Sequence, residues 1–201
     1  MTITRTAVNS TLFLGGGAGD VKALANAATP RIVAIDRYSG GSVATTLTAG
    51  RLFFVAFSPI KTMSISTLAF NNRGTAAVGT TLARMGLFTV ADNGNATLVA
   101  RTASDTSLAS VTFTLYTGAL DTTGGYPASY TVTAGSRYAF GILFVGSSTA
   151  PSVYGYAGGS AMNFWLPWLT AGVSAQTDIG TLYTFASDLT REPTAPLMAG
   201  F

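Results

Sequence analysis

The stretch TVTAGSRYAFGILF at residues 131–144 combines the end of one strand, a turn and the start of another strand. Ala-Gly is typical of a turn, and the aromatic and aliphatic run after it is typical of a β-strand. Successive side chains of a strand point to opposite faces of the sheet. We expect the bulky face to fill the core and the smaller face to admit another layer or a neighbouring subunit. The bulky face has Tyr138, Phe140, Ile142 and Phe144, and the smaller face has Ala139, Gly141 and Leu143.

A near copy of this stretch, TLTAGRLFFVAF, lies at residues 46–57. Solenoids and propellers repeat every ~20–50 residues, a much shorter period than the separation of these two copies. We interpret the copies as equivalent strands in two sheets, or in two halves of one sandwich. The repeated stretch is then an architectural feature of the fold.

The chain from residue 30 onward continues as short strands and turns. In KTMSISTLAF (61–70), Met63, Ile65 and Leu68 are predicted to point inward. Further strand-like stretches are RIVAID (31–36), ARMGLFTV (83–90), ATLVART (96–102), SVTFTLY (110–116) and TLYTFASDL (181–189). About nine short strands separated by Gly, Asn and Asp favour an all-β fold, an antiparallel jelly-roll-like β-sandwich over residues 30–201.

Residues 1–29 have a different pattern and are predicted to form a short N-terminal arm or adapter segment. The glycines at 15–17 are not followed by the Lys-Ser/Thr pair of a phosphate-binding loop, so we interpret them as a flexible hinge. No apolar run follows a basic start, so no signal peptide is predicted. The most apolar later stretch, AMNFWLPWLTAGV, contains Pro167 and is too short to cross a bilayer.

The clearest local unit is GLFTVADNGNATLVART at residues 86–102, which predicts a β-hairpin. The DNGN sequence supplies residues that tolerate positive φ at the turn. Asp92, Asn93 and Asn95 offer oxygen atoms to a calcium ion, but one carboxylate makes a poor cage and the EF-hand spacing is absent. Turn formation is the preferred interpretation, and no metal site is predicted.

The composition excludes several function classes. Charged residues make up 9% of the chain, against roughly 25% in ordinary soluble domains, so hydroxyl and glycine residues must cover much of the surface. Such a neutral surface favours association with other subunits. Eleven Lys and Arg residues are scattered singly, without the basic stripe that nucleic-acid binding needs. The chain has no Cys and no His, which excludes disulfides, thiolate metal sites and a Ser-His-Asp triad.

Carboxylates are the remaining candidates for catalysis. Asp105 and Asp121 flank one apolar strand, and a glycosidase works with two such groups. Most of the carboxylates nevertheless fall in predicted turns, where Asp is favoured for its backbone hydrogen bonds. We therefore expect a protein that is not an enzyme and has no cofactor, with a hydrolase using paired Asp residues as the alternative.

The most distinctive region is PSVYGYAGGSAMNFWLPWL at residues 151–169. Its candidate binding residues are Tyr154, Tyr156, Trp165 and Trp168. Aromatic rings beside glycine-rich loops bind sugars, because the ring packs on the C–H face of a pyranose. Aromatic residues are equally enriched at subunit interfaces, which is the preferred interpretation here.

Three stretches together resemble the β-sandwich domains of minor tail and other virion surface proteins of tailed bacteriophages. They are ARMGLFTVADNGNATLVARTASDT, TLYTGALDTTGGYPASYTVTAGSRYAFGILFVG and AQTDIGTLYTFASDLT, within roughly residues 80–190. The resemblance implies a non-enzymatic role at the phage surface and brings no catalytic residues. This chain differs by carrying NFWLPWL before the closing strands and by its short N-terminal arm.

We therefore expect a bacteriophage virion structural protein, such as a minor tail, fibre or receptor-contacting protein, assembled in the host cytoplasm. Its expected partners are other virion proteins and copies of itself, with a trimer as one arrangement, and a host cell-surface glycan is a further candidate. No nucleic acid and no membrane insertion are expected. The alternatives are a capsid decoration or head-fibre protein of similar fold, and a carbohydrate-binding module.

Overall fold

The computed structural model describes residues 32–33, 43–59, 61–157, 170–184, 187–191, 194–196 and 198–201. Within these ranges the chain forms β-strands and no helix, which confirms the predicted all-β fold. The strands are β1 (Ile32–Val33), β2 (Val43–Thr46), β3 (Arg51–Phe57), β4 (Met63–Ile65), β5 (Thr67–Asn71), β6 (Leu82–Val90), β7 (Ala96–Arg101), β8 (Leu115–Ala119), β9 (Tyr130–Val132), β10 (Tyr138–Val145), β11 (Ser152–Ala157), β12 (Thr170–Val173), β13 (Leu182–Tyr183), β14 (Thr190–Arg191), β15 (Thr194–Pro196) and β16 (Met198–Gly200). The predicted arm at residues 1–29, with its glycine hinge, lies outside the described residues.

Four antiparallel sheets build a sandwich. The largest has seven strands in the order β13-β7-β6-β10-β3-β12-β14. Three smaller sheets have the orders β1-β16-β5-β8, β15-β11-β2 and β4-β9. Side chains from all four sheets meet in one buried cluster, so the smaller sheets together form the layer that faces the large one.

The main core fills the space between these layers. The large sheet contributes the bulky face of β10 together with residues of β3 and β6, and the smaller sheets contribute Ile65, Leu68, Phe70, Val132, Val153 and Met198. Met63 is half-buried and packs against this cluster. The predicted inward positions of the 61–70 stretch are thus confirmed, although β4 and β5 belong to different sheets.

The opposite face of the large sheet is also buried. Ala139 and Leu143, on the smaller face of β10, belong to a second buried cluster. Its other members are Leu52, Phe54, Phe88, Ala96, Leu98, Ala171, Val173, Ile179 and Tyr183. Of these buried residues only Ile179 lies outside the strands of the large sheet, in the segment 174–181 between β12 and β13, here called the covering segment. The smaller face of β10 is thus buried mainly by other side chains of its own sheet, and another layer over it stays a prediction.

The two copies of the repeated stretch lie side by side. β3 and β10 are antiparallel neighbours in the seven-stranded sheet, with Phe57 opposite Tyr138 and Arg51 opposite Phe144. The interpretation as strands of two different sheets is therefore wrong. Their similarity reflects a shared environment, because both strands are central and both are covered on two faces.

Local predictions vary in success. The hairpin of residues 86–102 is confirmed, with β6 paired to β7 and Gly94 at φ 86° in the turn. The strand predicted over residues 110–116 is wrong for residues 110–114, because β8 begins only at Leu115. In the predicted strand at 31–36 the described residues Ile32–Val33 form β1, and the predicted strand at 181–189 is shortened to Leu182–Tyr183.

Candidate interaction surface

The four aromatic residues singled out in the sequence differ in what the structure describes of them. Trp165 and Trp168 lie outside the described residues. The backbone of Tyr156 lies on β11 opposite Ala195, and its side chain is outside the described part. Tyr154 lies on the same strand opposite Ala44 and is half-buried. Tyr154 is thus the one member of this group whose side-chain surroundings are described.

The guanidinium group of Arg73 packs on the ring of Tyr154. The guanidinium carbon of Arg73 lies 5.4 Å from the centre of the Tyr154 ring. Buried Ser152 fixes the backbone around Arg73, because its carbonyl accepts from the Arg73 amide at 2.8 Å and its Oγ accepts from the Thr75 amide at 2.8 Å. A cation over an aromatic ring is held by the ring quadrupole. One face of the Tyr154 ring is therefore occupied within the chain, which reduces the ring area open to a sugar.

The segment between β7 and β8 approaches the same place. The amide of Phe113 donates to the carbonyl of Arg73 at 2.9 Å, and the amide of Asn72 donates to the carbonyl of Thr114 at 2.9 Å. Phe113 has φ 56°, a left-handed conformation that is costly for a residue with a bulky side chain. These two bonds and this conformation hold the Phe113 backbone beside the pair formed by Arg73 and Tyr154.

Two apolar side chains of this segment and the first one of β8 are exposed and are here called the apolar edge. Val111 is 58% exposed, Phe113 is 68% exposed and Leu115 is 59% exposed. Single exposed apolar residues are common, but three within five residues are a concentration of exposed apolar area. The sequence gives no sign of this, because alternation of Val, Phe and Leu with Thr is equally typical of a strand facing the core.

Buried groups hold the apolar edge in place. Asn72 is fully buried, and its Nδ2 donates to the carbonyls of Ala109 at 3.0 Å and of Val111 at 2.8 Å. The hydroxyl of Tyr116 accepts from the Val111 amide at 2.7 Å, and its ring stacks on Phe70 at 5.5 Å between centres. The loop is thus tied to the core on both sides. The backbone of this loop therefore needs little further ordering when it meets a partner.

The two acids considered for catalysis stabilise turns. Oδ1 of Asp105 accepts from the amide and hydroxyl of Ser107, and Oδ1 of Asp121 accepts from the amide and hydroxyl of Thr123. The hydroxyl and amide of Thr123 lower the pKa of Asp121, which keeps this exposed group ionised. A general acid needs the opposite shift. The described residues contain no group of three or more potential metal ligands.

Two arginines and one aspartate meet where the covering segment lies against the sheet. Nη1 of Arg84 donates to both carboxylate oxygens of Asp178 at 3.0 and 2.7 Å, and Arg101 lies 3.7 Å from Asp178. The guanidinium of Arg101 also lies 5.0 Å from the ring centre of Tyr126. These contacts fasten the covering segment to β6 and β7. Sequence reasoning missed this group because its members are far apart in the chain.

Among the described residues, no helix is long and apolar enough to span a membrane. The chain matches no protein-family model, and no curated protein matches it in sequence. The candidate surface therefore rests on the geometry of this chain: the exposed apolar edge, the buried residues behind it and the neighbouring pair of Arg73 and Tyr154.

Proposed function

We propose that the protein is a non-enzymatic structural protein of a bacteriophage virion, a minor tail, fibre or receptor-contacting protein that assembles as a homo-oligomer. The observation that carries this proposal is the apolar edge, three exposed side chains next to a loop backbone that buried Asn72 binds. Exposed apolar patches of this kind mark contact surfaces in soluble proteins. The low charge content and the resemblance to virion surface proteins support the same conclusion.

The partners in this proposal are copies of the chain and other virion proteins. Arg73 and Tyr154 extend the apolar edge with an aromatic and cationic contact, and both residue types are enriched in interfaces. Trp165, Trp168 and Tyr156 remain candidates for a subunit or glycan contact. Head decoration is the alternative location, since the same surface would serve either part of a virion.

Oligomeric state is the first test. Light scattering coupled to size-exclusion chromatography should give a mass that is a multiple of 20.6 kDa at micromolar concentration. A protein that stays monomeric up to about 100 µM would contradict the proposal, because subunits with a stable interface associate at far lower concentrations.

Location is the second test. Antibodies against the purified chain, detected by gold labelling in the electron microscope, should label the tail of phage particles that encode it. Labelling of the head would support the decoration alternative. Intact and disrupted particles that both lack the label would overturn the virion role. Tight glycan binding by the isolated monomer would instead favour a carbohydrate-binding module.

A further inference from the structure

The turn between β6 and β7 carries the one Asn-Gly pair of the sequence, Asn93 followed by Gly94. The Asn93 side chain is exposed, and its Oδ1 accepts from the Asn95 amide at 3.0 Å. Gly94 has no side chain that could shield its amide nitrogen from the residue before it. An amide carbon, Cγ of Asn93, and a main-chain nitrogen that can attack it are therefore neighbours in this turn.

We infer that Asn93 is a site of spontaneous deamidation, a covalent modification that needs no enzyme. The Gly94 nitrogen gives its proton to solvent and attacks Cγ of Asn93. The new N–Cγ bond closes a succinimide ring, the Cγ–Nδ2 bond breaks, and ammonia leaves. One water molecule then opens the ring, at Cγ to give aspartate or at the main-chain carbonyl to give isoaspartate. No oxidant or reductant takes part, and the inference does not rest on the proposed function.

The hydrogen bond from Asn95 favours the attack in two ways. The donated proton polarises the side-chain carbonyl of Asn93 and stabilises the negative charge that develops on Oδ1, as the donors of an oxyanion hole do. The same bond folds the Asn93 side chain back over the main chain of the turn. The carbon that is attacked is thus held close to the nitrogen that attacks it.

A second hydrogen bond in the turn slows the reaction. The Gly94 amide donates to the Ala91 carbonyl at 2.9 Å, so the Gly94 nitrogen must leave this partner before it attacks. The free energy of one such bond corresponds to a rate reduced by about tenfold at most. We therefore expect the folded turn to react more slowly than the unfolded chain, but still to react.

The other asparagines of the sequence are poorer sites. Each of them precedes a residue with a side chain, which hinders the attack; they are Asn9, Asn26, Asn71, Asn72, Asn95 and Asn163. Asn72 is also fully buried, and its Nδ2 donates to two carbonyls of the core-facing loop. Asn95 belongs to the same turn as Asn93 but precedes Ala96, so it serves as an internal comparison.

The modification changes both the charge and the length of the turn. A carboxylate at position 93 lowers the formal net charge of the chain from +3 to +2 and lies next to exposed Asp92. Isoaspartate adds one carbon to the main chain between Ala91 and Asn95, whose amide and carbonyl close the hairpin at 3.0 Å. The deamidated protein is therefore a more acidic form with a distorted hairpin end.

The test follows the full-length chain during incubation at neutral pH and body temperature. Trypsin cleavage after Arg84 and Arg101 releases residues 85–101, which contain both Asn93 and Asn95. Fragmentation of this peptide in the mass spectrometer shows which asparagine gains about one dalton, and a sample taken at time zero corrects for handling. We expect the gain at Asn93, as aspartate and isoaspartate, several times faster than at Asn95 and faster still as the pH rises.

Two substitutions complete the test. Asn93→Ser keeps a hydroxyl acceptor in the turn and should abolish the acidic form that isoelectric focusing detects. Asn95→Ser is the matched control and should leave that form unchanged. An unchanged mass of the folded chain, or equal gains at Asn93 and Asn95, would overturn the inference. A gain that occurs only in urea would also overturn it, since the native turn would then protect Asn93.

Discussion

Gly86 and Gly141 lie directly opposite each other on β6 and β10, and the ring of Phe88 packs over both of them. A Cβ atom at Gly141 would lie 2.7 Å from Cε2 of Phe88, and one at Gly86 would lie 2.9 Å from the same atom. Separations below 3.0 Å require movement of the neighbour. The two glycines thus form a slot for a ring that is itself fully buried, with Phe54 4.8 Å away between centres.

Gly141→Ala should destabilise the fold. The added methyl group would displace Phe88 and also lie 3.2 Å from Cδ1 of Leu52. Overpacking of this kind costs about 1–3 kcal/mol. Urea unfolding should show a lower midpoint with an unchanged slope. Gly74→Ala is the control, because its new methyl group would meet only Ser152 Oγ at 3.9 Å. Equal midpoints for the two variants would contradict the close packing.

Asp178→Asn should loosen the covering segment. The side chains of Arg84 and Arg101 are only 15% and 17% exposed and would lose their common anion. Because Asp178 itself is 41% exposed, solvent offsets part of the loss, and we expect a cost of about 1–3 kcal/mol.

Asp92→Asn is the matched control for this change. Its carboxylate is fully exposed and 3.7 Å from Arg137, so solvent screens the pair and the substitution should leave stability almost unchanged. The melting temperatures of the two variants are compared by thermal unfolding. If Asp178→Asn lowers the melting temperature as little as Asp92→Asn does, Asp178 does not hold the covering segment to the sheet.

Asn72→Ala should free the apolar edge from the core. It removes the two hydrogen bonds to the carbonyls of Ala109 and Val111, at a net cost of about 0.5–1.5 kcal/mol each. The cost is no larger because the Ala109 carbonyl keeps the Ala77 amide and the Val111 carbonyl keeps the Tyr116 hydroxyl. Hydrogen exchange should rise at Val111 and Phe113. Asn93→Ala, which removes one bond to the Asn95 amide in an exposed turn, should cost less. Unchanged exchange at Val111 would mean that Asn72 does not hold the loop.

Phe113→Asn should separate folding from association. Asn tolerates the left-handed conformation that Phe113 adopts at φ 56°, so the substitution should leave subunit stability unchanged or raise it by up to about 1 kcal/mol. It also removes the most exposed apolar side chain of the edge, so association should weaken. Lower subunit stability together with unchanged association would contradict both expectations.

Alkaline pH should destabilise the protein through Tyr183. Burial raises the pKa of its hydroxyl above the usual value of about 10, and this hydroxyl bonds Gln176 Oε1 and the Gly180 amide. The unfolded chain loses this proton first, so the stabilisation is complete below pH 10 and is lost as pH rises through the raised pKa. Tyr183→Phe should unfold more easily at pH 7 and show a shallower decline above pH 10. An identical decline would assign the effect to Tyr130, whose pKa burial also raises.

The features that the sequence predicted well are those set by neighbouring residues. Alternation in residues 138–144 correctly separated a bulky core face from a smaller face, because side-chain direction along a strand follows from the backbone alone. The hairpin around Gly94 was equally accessible, since its turn needs residues that tolerate positive φ.

The features that could not be predicted depend on distant contacts. Val111 and Phe113 alternate as strand residues do, yet buried Asn72 binds the loop in a different conformation and leaves them exposed. The position of Asp178 between Arg84 and Arg101 likewise depends on the whole topology. The bridge between Thr102 and Leu120 at the end of β8 follows from the topology, which periodicity alone does not determine.

The pairing of β3 with β10 also bears on how the chain becomes native. The middle of the large sheet forms only when Phe57 pairs with Tyr138, which is more than eighty residues later in the chain. When β3 leaves the ribosome, its neighbour β10 has not yet been synthesised. Closure of so long a loop also slows folding. The apolar side chains of β3 stay exposed during that interval, so the tendency to aggregate is greatest before β10 is available.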